Sequence, residues 1–405
     1  MSARRRRLWA RIRGRSPRYL AQYAALRLAT RLEVRELEFP LLSADIADSL
    51  TVRTPPLPPW DGARPPRVAW LSFPPRAGSG GHTTQFRMMQ AAIEAGQETT
   101  LLLYDRHRGD IGQYVDTVRR AWPWMTADIR AASDRITGYD AVVATSWPTA
   151  HVAASRADEG RLLYFIQDYE PYFVPRGAEY ALAQDSYRFG FRHIALGRMV
   201  HDLLVSDVGV GGDLVPFGCD TEIYGEQTRR PRSGVVFYAK RGNDRRGFAL
   251  AMRALAIFHE ACPDEPIHAY GDVVDDAPFP VVQHGNVTPA QLNELYNGVI
   301  AGLALSFTNI SLVAEEMLAA GVVAVVNDSP LARADLPNPF ASWVRPTPTG
   351  LARGLIDAVR REDRDAHASR VAASVVGRSW QETQQATVAV IADELSRAPQ
   401  PEPGR

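Results

Sequence analysis

Val235-Val236-Phe237-Tyr238-Ala239-Lys240-Arg241-Gly242-Asn243-Asp244-Arg245-Arg246-Gly247 is the stretch from which the fold can be read. Its apolar β-branched and aromatic run predicts a strand buried on both faces. The Gly/Asn/Asp turn ends that strand, and two arginines open a helix over 246–261. Strand, short loop and helix make half of a parallel α/β unit. Cations gathered at a strand end beside a helix N-terminus suit a phosphate-bearing ligand, because exposed N–H groups and positive side chains converge there. A solvated surface cluster is the plainer alternative for these residues taken alone. Lys240 is the one lysine of the chain; every other side chain among the 46 Lys+Arg is arginine. Arginine bias can follow from genome composition, so the position of Lys240 informs more than its rarity.

Outward from this unit the chain alternates. Strand-like runs at Arg67–Phe73, Thr99–Tyr104, Ala141–Thr145, Leu162–Ile166 and His193–Leu196 are separated by helical patterns at 82–95, 111–120, 147–157 and 177–189. A second series has strands at Val235–Tyr238, Ile267–Tyr270, Val299–Leu305 and Val322–Val326. Its helices fall at 246–261, 289–297, 313–320, 349–360 and 365–376. Each series has the rhythm of one doubly wound domain. The expected organisation is a basic helix and Pro-rich linker over 1–60, a Rossmann-like domain over 61–212, a second over 213–380, and a helix with a disordered tail over 381–405. Two such domains leave a cleft facing the carboxyl ends of both sheets, where open α/β folds bind ligands.

Composition bounds the function. Of the 405 residues, 45% are hydrophobic and 23% charged, and the net charge is zero, which argues against a nucleic-acid binder. Two cysteines, Cys219 and Cys262, are too few for a disulfide framework, so a reducing cytoplasm is the default. No run approaches the roughly 18 apolar residues needed to span a bilayer, and no secretory signal is expected. Arginines at 4, 5, 6, 7, 11, 13, 15, 18, 27 and 31, with no acid before residue 32, give the N-terminus a strong positive charge. Tyr19, Tyr23, Leu26 and Ala29 predict a basic amphipathic helix over 17–36, able to make peripheral contact with an anionic membrane. A helix packed on the domain, or a disordered arginine tail, fits the same residues.

Three further segments carry polar chemistry. Pro74-Pro-Arg-Ala-Gly-Ser-Gly-Gly-His82 follows the first strand, and Gly78, Gly80 and Gly81 would let backbone approach a ligand closely. Its spacing is neither a dinucleotide fingerprint nor a P-loop, and a plain strand-to-helix turn explains it equally. Phe165-Ile-Gln-Asp-Tyr-Glu-Pro-Tyr-Phe173 places Gln167, Asp168 and Glu170 among aromatic rings at a strand's carboxyl end. Polar groups that hold hydroxyls and rings that stack on sugar faces would make a carbohydrate site, with Asp168 or Glu170 as acid, base or hydroxyl acceptor. The competing reading, strongest for Glu170, is a cap for the helix at 177. Ser306-Phe-Thr-Asn-Ile-Ser311 precedes a helix carrying Glu315 and Glu316. Ser311 could hold an anion there, and a carboxylate can accept both hydroxyls of a ribose. No metal-ligand spacing and no nucleophilic triad is present.

These residues resemble a known family. Glu316-Met-Leu-Ala-Ala-Gly-Val-Val-Ala-Val-Val is similar to a segment of the retaining family 4 glycosyltransferases. The Phe165–Phe173 motif, Phe237-Tyr-Ala-Lys with Arg245-Arg246, and Ser306-x-Thr-Asn-x-Ser311 resemble rhamnosyltransferases of the WsaF type over most of residues 66–395. The resemblance implies a GT-B fold, a nucleoside-diphosphate sugar donor such as dTDP-rhamnose, a glycan or lipid-linked glycan acceptor, and neither metal nor cofactor. It implies that Lys240 and Arg246 hold the diphosphate, with Arg245 a close competitor. Glu316 would bind the ribose, assisted at the phosphates by Thr308, Asn309 and Ser311, while Tyr270-Gly271 and the turn at 285–287 flank the base. Gly80, Gly81, His82, Gln167, Asp168 and Tyr169 would face sugar and acceptor, with Asp168 catalytic beside Lys240 and Arg246. Thr308 departs from the family, which usually has a second glutamate eight positions before Glu316. A nucleotide-sugar 2-epimerase using Asp168, Glu170 and His82, and a non-catalytic glycan-binding protein, are the alternatives. A work site at the inner face of the cell membrane completes the expectation.

Overall fold

The structure is a computed structural model and describes residues 16–32, 34–53, 57, 60–227, 231–310, 312–375 and 378–397. Seven of the ten N-terminal arginines, five residues of the Pro-rich segment, Ser311, and the tail from 398 lie outside the described residues. The chain divides into two units, 1–46 and 47–405. In the first, Pro17–Arg31 is helical, with Ser16 accepting a hydrogen bond from the Tyr19 N–H, and a separate turn follows at Arg35–Glu38. The expected helix is therefore shorter. Its apolar residues are also spread around the axis rather than gathered in one stripe, so it is not amphipathic.

The second unit holds two parallel sheets. The first contains β1 (Arg67–Ser72), β2 (Glu98–Leu103), β3 (Asp128–Ala131), β4 (Ala141–Ala144), β5 (Arg161–Ile166), β6 (Arg192–Leu196) and β7 (Asp213–Val215), in the order β3-β2-β1-β4-β5-β6-β7. The second contains β8 (Val235–Ala239), β9 (Ile267–Gly271), β10 (Val282–Gly285), β11 (Ala301–Leu303), β12 (Val323–Asn327) and β13 (Ser342–Val344), in the order β10-β9-β8-β11-β12-β13. Central strands are solidly apolar because both faces are covered: Val68–Ser72 and Val323–Asn327 are buried throughout.

Helices connect the strands. In the first half these are α1 (Gly80–Glu94), α2 (Ile111–Ala121), α3 (Trp147–Arg156), α4 (Ala178–Asp185) and α5 (Arg198–Leu203). In the second they are α6 (Phe248–Ala261), α7 (Pro289–Gly298), α8 (Leu312–Ala319), α9 (Pro330–Asp335), α10 (Pro348–Val359), α11 (Arg364–Ala373) and α12 (Trp380–Ser396). Local chemistry sets their starts: Asp110 caps α2, Thr347 caps α10, and Thr288 forms a capping box with Gln291 at α7.

One boundary differs from expectation. β7 pairs with β6, so the first sheet runs past residue 212. α12 returns to the first domain. Its Thr383 donates to the Pro216 carbonyl at 2.7 Å, its Gln384 to the Arg87 carbonyl at 3.2 Å, and its Glu394 lies 3.8 Å from Arg161 of β5. No helix among the described residues is long and apolar enough to cross a membrane.

Candidate functional site

β5 ends at Ile166, and the chain then turns through Gln167-Asp168-Tyr169 into a 3-10 turn at Glu170–Phe173. From the second sheet, β8 runs into Lys240 and the turn Asp244–Arg246, and β11 runs into Ser306–Ile310. These loops meet. Asp168 Oδ2 accepts from Thr308 Oγ1 at 2.7 Å and from Arg245 Nη1 at 3.1 Å. Arg245 Nη1 is also 3.4 Å from Thr308 Oγ1, and its guanidinium carbon sits 3.7 Å from the centre of the Phe173 ring. Asn309 Nδ2 donates to the Gln167 carbonyl at 2.9 Å.

Asp168 is buried, and its Oδ1 has no hydrogen-bond partner among the described residues. Burial raises its pKa above the ordinary carboxylate range; the Thr308 hydroxyl, the Arg245 and Arg246 charges and the nearby Tyr169 N–H oppose that rise. Arg245 is thus committed to a carboxylate across the cleft. Arg246 donates to Ser306 Oγ at 3.2 Å and lines a small pocket with Phe237, Tyr238, Leu303 and Ala304. Asn327 holds the Ser306 backbone at both its N–H (2.9 Å) and its carbonyl (2.7 Å), which fixes the loop beneath Arg246. Lys240 is 44% exposed, with Asp272 Oδ1 as a loose neighbour at 4.0 Å. Arg241, beside it, is turned away to Asp276 and the Phe248 ring. Among the described residues, Lys240 and Arg246 thus have no carboxylate closer than 4.0 Å.

Gly271 has φ +95 and approaches so closely that a Cβ there would meet the Ala239 carbonyl at 2.5 Å. Only glycine lets the two strand ends sit this near. Tyr270 is buried; its ring stacks on Tyr238 with centroids 5.1 Å apart, and its hydroxyl meets Tyr296 at 2.9 Å. Glu315 pairs with Arg378 at 2.7 Å, whereas the Glu316 carboxylate has no hydrogen-bond partner among the described residues. Burial, then the Asp220 charge, push Glu316 up to about 7, against the pull of Arg87. Arg87 itself pairs with Asp220 and covers the Trp380 ring at 5.2 Å.

Other expected residues are placed differently. Tyr169 is fully buried, stacked on Tyr187 and bonded to Gln184, so it does not face the cleft. His82 is held by Ser79 Oγ at 2.7 Å and the Phe73 carbonyl at 3.3 Å, and burial lowers its pKa. Gly80 and Gly81 are exposed at the start of α1, and a Cβ at Gly81 would lie 3.8 Å from Gln167 Oε1. Glu170 caps α3, accepting from the Trp147 N–H, rather than the helix after 177. Asp168, Glu170 and His82 thus make separate hydrogen bonds. Sequence reasoning missed Arg87 and Asp220, neither of which carries a local signal, and marked Ser306 only as the start of a motif. Phe173 was visible as an aromatic, but its contact with Arg245 was not. Among the described residues no group of three or more His, Cys, Asp or Glu side chains is placed to hold a metal ion.

Two Rossmann-like domains with polar loops meeting at the carboxyl ends of both sheets define the GT-B class. Solved GT-B structures agree in fold. A mutant of S. aureus TarM, crystallised in complex with Fondaparinux, alpha-GlcNAc-glycerol and UDP, superposes with TM-score 0.61 at 8% identity, covering 82% of this chain and 100% of that one. WaaG, a glycosyltransferase involved in lipopolysaccharide biosynthesis, gives TM-score 0.54 at 13% identity over 80% of this chain and 99% of that one. Sequence narrows the class. Residues 123–198 match the family described as WsaF, N-terminal domain, and residues 233–356 match WsaF, C-terminal domain. The O-antigen biosynthesis protein RfbC of Myxococcus xanthus is 33% identical over 253 residues, 60% of this chain. The chain spans 20% of that relative's length.

Proposed function

We propose that the chain is a WsaF-type glycosyltransferase that moves a sugar from a nucleoside diphosphate to a glycan or lipid-linked glycan during O-antigen-type polysaccharide synthesis. The observation that carries this reading is the pair of uncommitted cations, Lys240 and Arg246, at the carboxyl end of β8 opposite the buried Asp168 carboxylate. Such cations stabilise a leaving diphosphate as an oxocarbenium-like sugar develops, taking the role a metal ion plays elsewhere. Glu316, free of a side-chain partner, is the carboxylate for the ribose hydroxyls, and Ser311 belongs to the same phosphate-binding stretch. In a retaining course the acceptor hydroxyl attacks from the leaving group's side and a diphosphate oxygen takes its proton, so no enzymic nucleophile is needed. A deoxysugar such as L-rhamnose, carried by dTDP, is the donor favoured by the match to the WsaF domains and by the loss of a carboxylate at Thr308. The inner face of the cell membrane is the proposed place of work, with the arginine-rich N-terminus as its contact.

A panel of nucleotide sugars tests this by thermal shift, since a ligand that binds only the folded state stabilises it by about 2.7 kcal/mol at a hundred times its Kd. The expected result is a rise in Tm with dTDP-L-rhamnose or another nucleotide sugar, and turnover with release of the nucleoside diphosphate. Unchanged sugar transfer in the Lys240→Ala, Arg246→Ala double variant would sink the reading.

A further inference from the structure

We propose that Thr308 and Arg245 are positioning residues that fix the Asp168 carboxylate so that its Oδ1 is presented to a sugar hydroxyl in the cleft. The proposal rests on the sugar-transfer reading above. Both residues belong to loops of the second sheet, and Asp168 belongs to the first. Thr308 Oγ1 and Arg245 Nη1 converge on the same atom, Oδ2, at 2.7 and 3.1 Å, and lie 3.4 Å from each other. The three side chains close a triangle, and the Phe173 ring under the guanidinium limits where Arg245 can turn. A carboxylate rotates about its own axis unless one oxygen is held; with Oδ2 held twice, the direction of Oδ1 is set.

Oδ1 is the remaining acceptor. It is buried without a hydrogen-bond partner among the described residues, on a side chain that is 8% exposed. Buried polar atoms are nearly always satisfied, and a bare one costs about 1–3 kcal/mol, more when charged. A hydroxyl is the donor that suits it: neutral, compact, and adding no second cation beside Arg245. The same geometry assigns the neighbouring arginines different tasks. Arg245 is tied to Asp168 and Phe173 and is not a diphosphate ligand, whereas Arg246 and Lys240 are free to be. Thr308 supplies a donor that orients a carboxylate coming from the opposite domain.

Either the transferred sugar or the acceptor could supply the hydroxyl, and calorimetric titration of the full chain with dTDP and with dTDP-L-rhamnose separates them. The variants are Asp168→Asn, Thr308→Val, Thr308→Ser and Arg245→Met, each checked by its Tm. Affinity for dTDP should stay within about twofold of the parent in all four. If the donor sugar supplies the hydroxyl, Asp168→Asn, Thr308→Val and Arg245→Met weaken dTDP-L-rhamnose about tenfold, while Thr308→Ser restores it. If the acceptor supplies it, affinity for dTDP-L-rhamnose also holds. Release of dTDP to water, which then occupies the acceptor position, slows about tenfold in those three variants. The acid limb of that rate also moves to higher pH in Thr308→Val and not in Thr308→Ser, because loss of the hydroxyl donor makes the carboxylate harder to ionise. Arg245→Met loosening dTDP as much as Lys240→Ala would overturn the assignment of Arg245. Equal losses in Thr308→Val and Thr308→Ser, or none in Thr308→Val, would overturn the role of the hydroxyl. A parent chain that binds no nucleotide sugar overturns both readings, and is told apart because the parent itself fails.

Discussion

Lys240 stands at the end of β8 with its side chain 44% exposed and, among the described residues, no carboxylate nearer than 4.0 Å. A charge so placed adds little to stability, so its value lies in what it meets in the cleft. Lys240→Arg should keep dTDP affinity within a few fold, whereas Lys240→Ala should weaken it about tenfold with Tm nearly unchanged, as titration and melting curves will show. A Lys240→Arg variant as weak as Lys240→Ala would point to amine chemistry instead. At this scale the sequence told much about type and little about partner. Lys240 and Arg246 read in the sequence as candidate phosphate cations, because a strand end before a helix gathers N–H groups and positive side chains, with a solvated cluster as the alternative. Arg245 carried the same local signal, yet its partner Asp168 lies 77 positions away. Thr308 read as a missing glutamate, and only its bond to Asp168 showed what it does instead.

Among the elements, Glu170 shows how a capping residue can be assigned to the wrong helix. It precedes α4 in a polar loop, but its carboxylate accepts from the Trp147 N–H of α3. Burial pushes Glu170 up to about 8, with the Asp168 charge adding to that rise. Its folded pKa is above the unfolded value of about 4.3, so its contribution to stability is full below that value and is lost as pH rises through about 8. Glu316, at about 7, acts in the same direction. The expected result is a Tm that declines between pH 5 and 9, with Glu170→Gln gaining on the parent as pH rises. A parent–variant difference independent of pH would contradict the assignment. The unpredicted strands follow one rule: β3, β7, β10 and β13 are the four sheet edges. Edge strands here are three or four residues long, and β3 and β10 have no fully buried residue. They carry no apolar run to detect. Every internal strand was legible, because burial on both faces demands such a run.

In the whole second unit, the two sheet domains are joined by more than the cleft contacts. Asp335 of α9 accepts from the Arg198 and Met199 N–H groups at the start of α5 (2.5 and 3.0 Å), and α12 lies on the first domain although it follows the second in sequence. Ile391 of α12 is fully buried there. Ile391→Ala should cost about 2–5 kcal/mol in denaturant unfolding, with dTDP affinity retained because the donor residues lie in the second sheet's loops. Loss of nucleotide binding without loss of stability would show that α12 acts on the site directly. By itself the sequence determined two parallel α/β domains, their central strands and most helices, and a cationic strand end suited to a diphosphate. All of these depend on local periodicity, capping and composition, which neighbours in the chain dictate. Tertiary structure decided where the first sheet ends, which domain α12 joins, which of three cations is tied to a carboxylate, and that Asp168 is held by Thr308 and Arg245. Each of those depends on side chains distant in sequence meeting in space, and an energy shared between such residues leaves no periodic trace in the chain.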